Sequence, residues 1–142
     1  MIKIGKWRWH PGFSAAQSRM QHRTAEAVRA WLDQKGYTKA LATQQAIAAD
    51  IGVPSDQLRI YIRIRHHCSV LAWRKELRVL EACQLLLDYP DLPISVIGEM
   101  VGISDRSNFK RMFGQSKGMS PRAWREKHAT GGTASGRRPG AV

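Results

Sequence analysis

The sequence predicts an all-α protein: two helix-turn-helix units joined by a long linker helix. Three observations predict this. Apolar residues recur at helical spacing along most of the chain, and the core shows no strand-like alternation. A seven-residue pattern occurs twice, as Ile-Ala-Ala-Asp-Ile-Gly-Val at 47–53 and Ile-Gly-Glu-Met-Val-Gly-Ile at 97–103. Between the copies lies a long helical stretch, from about Ser69 to Asp88.

The elements follow in order. Residues 1–13 carry a basic-aromatic patch, Trp7, Arg8, Trp9 and His10, closed by Pro11-Gly12. This segment reads as a linker or packed arm rather than a ligand-contacting one. Residues 14–35 form a helix, with Val28, Trp31 and Leu32 at i, i+3 and i+4 and Gly36 as its C-cap. A second helix covers 43–51, with Ile47, Ala48 and Ile51 on one face and Gly52 as its stop. A third runs from Ser55 to Ile64, with Leu58, Tyr61 and Ile62 inward and Gln57, Arg59 and Arg63 outward.

In the linker helix Trp73, Leu77, Leu80 and Leu87 form one apolar stripe. Arg74, Lys75 and Arg78 divide between solvated surface and structural pairing, for instance with Glu81. Tyr89-Pro90-Asp91 breaks the helix. A short helix at 95–101, a turn at Gly102 and a helix at 105–116 come next, closed by Gly118. Ser120 caps the last helix and Pro121 opens it. Trp31, Trp73 and Trp124 sit at core positions. The expected organisation is an N-terminal arm or linker at 1–24, a first unit at 25–68, the linker helix at 69–88, a second unit at 89–127 and a disordered tail at 128–142.

Each place in the repeat has a physical reason. The small residue, Ala48 or Gly98, lets the next helix cross closely. Gly52 or Gly102 takes the sharp turn, where positive φ is cheap only without a side chain. Val53 or Ile103 tucks the turn into the core. An apolar-faced helix follows, carrying Leu58, Tyr61 and Ile62 in one copy and Phe109, Met112 and Phe113 in the other.

Charge points to the partner. Lys and Arg number 23 against 11 Asp and Glu, a net +12, which attracts polyanions, nucleic acid first. No run is apolar enough to cross a bilayer, and the N-terminus lacks a secretory signal. Two cysteines without a CxxC suit a reducing compartment, so a cytoplasmic location is expected. His66-His67-Cys68 has poor spacing for zinc, so no metal or other cofactor is expected. No P-loop, GxGxxG, HExxH or paired carboxylates appear, so an enzyme is not expected.

Two copies of the pattern on so basic a chain specify more than one helix–glycine–helix would. From about Ala42 to Lys127 the chain resembles the AraC/XylS family of transcription regulators. Ile-Ser-Asp-Arg-Ser-Asn-Phe (103–109), Met112-Phe113 and Gly118-Met119-Ser120-Pro121-Arg122-Ala123-Trp124-Arg125 carry the resemblance, together with Trp73-Arg74-Lys75-Glu76-Leu77-Arg78. The Asp-Arg-Ser-Asn-Phe wording is similar to regulators from the Bacteroidetes.

The resemblance implies homeodomain-like units that place two recognition helices in successive major grooves, about 34 Å apart, on double-stranded DNA. It also implies RNA polymerase as a further candidate partner, and a sensing or dimerising domain for which residues 1–35 leave no room. The candidate DNA-binding residues are Gln57, Arg59, Ile60 and Arg63 in the first unit, and Arg106, Ser107, Asn108, Lys110 and Arg111 in the second. Arg106 can fork onto guanine and Asn108 can pair with adenine. Asp105 opens its helix as a dipole partner.

The first unit departs from the family at Pro54-Ser55, Asp56, Ile60 and the Arg65-His66-His67-Cys68-Ser69 turn. Base reading and phosphate clamping both stay open there. Non-specific coating of nucleic acid, on a nucleoid or on RNA, is the alternative function. A protein-interaction adaptor using the tryptophan faces is another, and would not need the charge.

Overall fold

The structure is a computed structural model and describes residues 15–133. The arm expected at 1–13 and the last part of the tail, 134–142, lie outside the described residues. Helices are α1 (Ala15–Asp33), α2 (Gln44–Ile51), α3 (Ser55–His66), α4 (Val70–Asp88), α5 (Ile94–Met100), α6 (Arg106–Lys117) and α7 (Pro121–Thr133), with a 3-10 turn at Gly36–Thr38. No strand occurs among the described residues. None of these helices is long and apolar enough to cross a membrane.

The chain forms two compact units. The first holds the described residues up to Gly36 together with Leu41–Val70; the second holds Tyr37–Ala40 and the described residues from Leu71 onward. In the first, Val28 and Trp31 of α1 close over Ile47 and Ala48 of α2 and Leu58 and Ile62 of α3, all buried. Each large side chain so buried contributes about 1.5–3 kcal/mol. Leu32, Ile51, Val53 and Tyr61 are half-buried, so Val53 seals its turn less completely than Ile103, which is 4% exposed. The indole Nε1–H of Trp31 donates to Asp50 Oδ2 at 2.8 Å, so the buried ring keeps its polar handle satisfied.

Gly36 corrects the sequence reading of the α1 terminus. The left-handed residue there is Lys35, at φ 56°. Gly36 is required by space: a Cβ on it would sit 2.2 Å from Trp31 Nε1.

The core of the second unit is Val79, Ala82, Cys83, Leu85 and Leu86 of α4 with Ile97, Val101, Ile103, Phe109, Phe113 and Trp124. Phe113 stands edge-on to Phe109 and Trp124, with ring centroids 6.0 and 6.1 Å away. Only half of the stripe expected on α4 faces inward, through buried Trp73 and half-buried Leu77. Leu80 and Leu87 are 51% and 41% exposed, and the helix buries Val79, Ala82, Cys83 and Leu86 instead. Apolar residues at 0, 4, 7 and 14 satisfy helical periodicity, but which stripe faces inward is chosen by what packs on it.

Arg78 is a structural residue. Its Nε–H donates to Tyr37 O at 2.6 Å and its Nη2–H to Lys39 O at 2.7 Å, clasping the 37–40 segment onto α4. Glu81 Oε1 accepts from Tyr37 Oη at 3.3 Å. Burial, with the charge of Arg74 second, lowers the Arg78 guanidinium to about 10.

α7 begins as the sequence predicts, with Ser120 Oγ accepting from Ala123 N–H at 3.1 Å. It continues to Thr133, past the expected start of the tail at 128. His128 stacks on Trp124, with ring centroids 4.0 Å apart, and extending a formed helix costs far less than nucleating one.

Candidate nucleic-acid interface

Each unit presents one helix after a glycine turn, and local hydrogen bonds set the turn. Thr43 caps α2, its hydroxyl accepting from Ala46 N–H at 3.0 Å. Gly52 ends α2 at φ 96°, and both its N–H and that of Val53 return to Ala48 O, at 2.8 and 3.0 Å. Gln44 Nε2–H donates to Ser55 Oγ at 2.8 Å and latches α2 to the start of α3. In the second unit Gly102 turns at φ 91° and Ile103 N–H donates to Gly98 O at 2.8 Å. A Cβ at Gly98 would stand 3.0 Å from Phe109 Cγ, so the close helix crossing expected there is present.

The two presentations differ by one residue. The turn glycines Gly52 and Gly102 are 50 positions apart, whereas the buried pairs Leu58/Ile62 and Phe109/Phe113 are 51 apart. The left-handed caps His67 (φ 57°) and Gly118 (φ 76°) keep the second spacing. The additional residue lies between Gly102 and Asp105; Asp105 itself stands where the first unit has Pro54 as its cap, and its carboxylate accepts from Asn108 N–H at 3.0 Å. Asp105 is therefore committed to holding the helix start.

With the helices aligned by their cores, Asp56 corresponds to Ser107, Gln57 to Asn108, Arg59 to Lys110, Ile60 to Arg111 and Arg63 to Gly114. At about 100° per residue, Asp56, Ile60 and Arg63 face away from Leu58, and Ser107, Arg111 and Gly114 face away from Phe109.

All nine sequence-predicted residues lie on α3 or α6, but not on one strip of each. Ile60 is 40% exposed and Arg63 is exposed, both centrally placed. Arg59 is exposed and pairs with Asp56 at 3.7 Å, a surface contact that orients more than it stabilises. Gln57 is half-buried on the α1 side, near Met20 and Ala27. Ser107 and Arg111 are exposed and Asn108 is half-buried. The Arg111 guanidinium donates to Asn108 Oδ1, so these two act as one polar unit.

Arg106 and Lys110 stand to one side, in a concavity they share with Arg122 of α7. Sequence reasoning misses Arg122, because no helical spacing connects it to 106. It also misses Gly114, which sits within α6 and where a methyl group would meet nothing within 4 Å. Other cations are engaged elsewhere. Arg65 lies over the Tyr61 ring at 5.1 Å. Arg125 donates to Leu86 O and Tyr89 O, at 3.2 and 3.1 Å, tying α7 to the end of α4.

Residues 47–127 match a family profile described as a helix-turn-helix domain. The arabinose operon regulatory protein of Salmonella typhimurium (strain LT2) is 32% identical over 80 residues, 56% of this chain and 28% of that protein. The chain thus spans well under half the length of that relative. Among solved structures, an AraC-type transcriptional regulator from Chromobacterium violaceum superposes with TM-score 0.64 at 24% identity, covering 80% of this chain and 96% of that one. The DNA-binding domain of AdpA, a global transcriptional factor solved with a target DNA, gives TM-score 0.62 at 22% identity, covering 75% and 93%.

Proposed function

Because the chain belongs to the AraC/XylS family of helix-turn-helix regulators, we propose that it is a sequence-specific transcription regulator that inserts α3 and α6 into major grooves of double-stranded DNA. The observation that carries this reading is the outward strip of α6. Phe109 and Phe113 lock its inner face into the core, and the side chains of Ser107, Asn108 and Arg111 lie away from it, with no ion pair to a carboxylate among the described residues. A rigidly held helix with a polar outer strip is what base reading requires, because hydrogen bonds to base edges discriminate only when their direction is set.

Arg111 offers a planar fork to guanine O6 and N7, and the Asn108 amide offers adenine its complement. On α3 the chemistry is different. Asp56 can accept from a cytosine amino group, and its pairing with Arg59 offsets part of the repulsion from phosphates. Ile60 can cover a thymine methyl. The first unit then reads pyrimidine features while the second reads purine edges.

Selection from a random duplex library tests this, with wild type, Asn108→Ala, Arg111→Ala, Asp56→Ala and Ile60→Ala in parallel. The α6 variants are expected to relax adjacent positions in one part of the motif and the α3 variants in another, each by about 1–3 kcal/mol per base pair. Variants that all retain the wild-type motif would show these residues do not read bases. A wild type that enriches no motif would establish non-specific coating instead.

A further inference from the structure

We infer that the concavity between α5, α6 and α7 is a seat for a DNA-backbone phosphate, held by Arg106, Lys110 and Arg122. The inference rests on the proposed DNA binding and moves Arg106 from reading a base to gripping the backbone.

The concavity measures about 610 Å³ and is lined by Pro93, Ser95, Arg106, Lys110, Ser120 and Arg122, among others. Three of its lining residues are cations and none is a carboxylate. None of the three cations takes part in a salt bridge or hydrogen bond among the described residues. The engaged arginines contrast with them: Arg59 meets Asp56, Arg111 meets Asn108, and Arg78 and Arg125 meet backbone carbonyls. Three like charges converging on one hollow repel one another unless an anion enters.

The geometry also favours the backbone over a base edge. Arg106 is the first residue of α6 and lies on its α7 side, away from the strip opposite Phe109 that holds Ser107 and Arg111. The hydroxyl of Ser120 is occupied in capping Ala123, which holds the start of α7 in place, so Arg122 projects from a fixed turn. A phosphate is the anion that fits, because it lies beside any helix seated in a groove and accepts from several donors at once. Gripping it would set the register at which α6 meets the bases.

The test measures Kd over a salt series on the selected duplex and on a scrambled one, for wild type, Arg106→Ala, Arg122→Ala and Asn108→Ala. Arg106→Ala and Arg122→Ala are each expected to lower the salt slope by about one and to weaken both duplexes alike, roughly five-fold at physiological salt. Neither should alter the selected motif, whereas Asn108→Ala should. A neutral methylphosphonate scanned along the backbone should find one phosphate whose loss weakens wild type but not Arg106→Ala.

A changed motif in Arg106→Ala, an unchanged salt slope, or no such phosphate would overturn the seat while leaving specific binding intact. A wild type that prefers no sequence would overturn specific reading, and the salt slopes would still judge the seat. A wild type that binds no duplex would overturn both. Thermal melts of the Arg106 and Arg122 variants should match wild type, since both side chains are exposed.

Discussion

Replacing Arg78 with methionine tests the clasp on the 37–40 segment. Methionine keeps most of the aliphatic volume and removes both donors. Tyr37 O and Lys39 O then lose charge-assisted hydrogen bonds of 2.6 and 2.7 Å. Leaving the buried acceptor Tyr37 O unsatisfied costs about 1–3 kcal/mol, and the part-buried Lys39 O adds a smaller loss. Against this stands the desolvation that lowers the Arg78 pKa, which the variant no longer bears. The net loss works out at about 2–4 kcal/mol, or on the order of 10 °C in Tm for a domain of this size.

Urea unfolding followed by tryptophan fluorescence measures the loss, with Arg78→Lys as control. Lysine keeps the charge but not the fork, and should recover only part. The sign with pH also follows. The folded state holds the Arg78 proton less tightly than the unfolded chain, so below about 10 both states are protonated and its contribution is flat. Stability would rise only as pH climbs through about 10 and above. The deficit of the variant should therefore be constant between about pH 6 and 9. A methionine variant within about 0.5 kcal/mol of wild type would refute the clasp.

Phe113→Ala should cost about 3–5 kcal/mol by thermal unfolding, since Phe113 is fully buried between Phe109 and Trp124. Gly114→Ala should stabilise by about 0.5–1 kcal/mol, because its Cβ meets nothing within 4 Å, whereas Gly36→Ala should destabilise by driving a methyl into Trp31. Burial pushes the Cys83 thiol up, so alkylation by iodoacetamide at neutral pH should be slower at Cys83 than at half-exposed Cys68, as separated by peptide mass mapping. For the same reason Cys83 keeps its proton longer when folded, and its contribution to stability should fall as pH rises through the ordinary thiol range.

Local signals were legible in the sequence. Ser120 caps its helix and Gly52, Gly102 and Gly118 take positive φ, because each device works within a few residues. The inward placement of Trp31, Trp73 and Trp124 was legible for the same reason of spacing. Long-range choices were not. Nothing near Leu80 or Leu87 says which side of α4 will be covered. Nothing near Arg78 says that carbonyls some 40 positions earlier will accept from it. In the candidate interface the helices were legible, while the division of Arg106 from Arg111 needed the placement of α7.

The single added residue between Gly102 and Asp105 carries a consequence for engineering and for descent. Aligning the two copies on their glycines and transplanting outer residues from α6 to α3 would put every graft one position late. In a helix that is a rotation of about 100°, enough to swing a base-reading side chain onto the flank. An insertion or deletion of one residue in such a turn thus re-aims a whole recognition surface without touching the core beneath it. Divergence between the duplicated halves could proceed by that step, acquiring a new sequence preference before any contact residue is replaced.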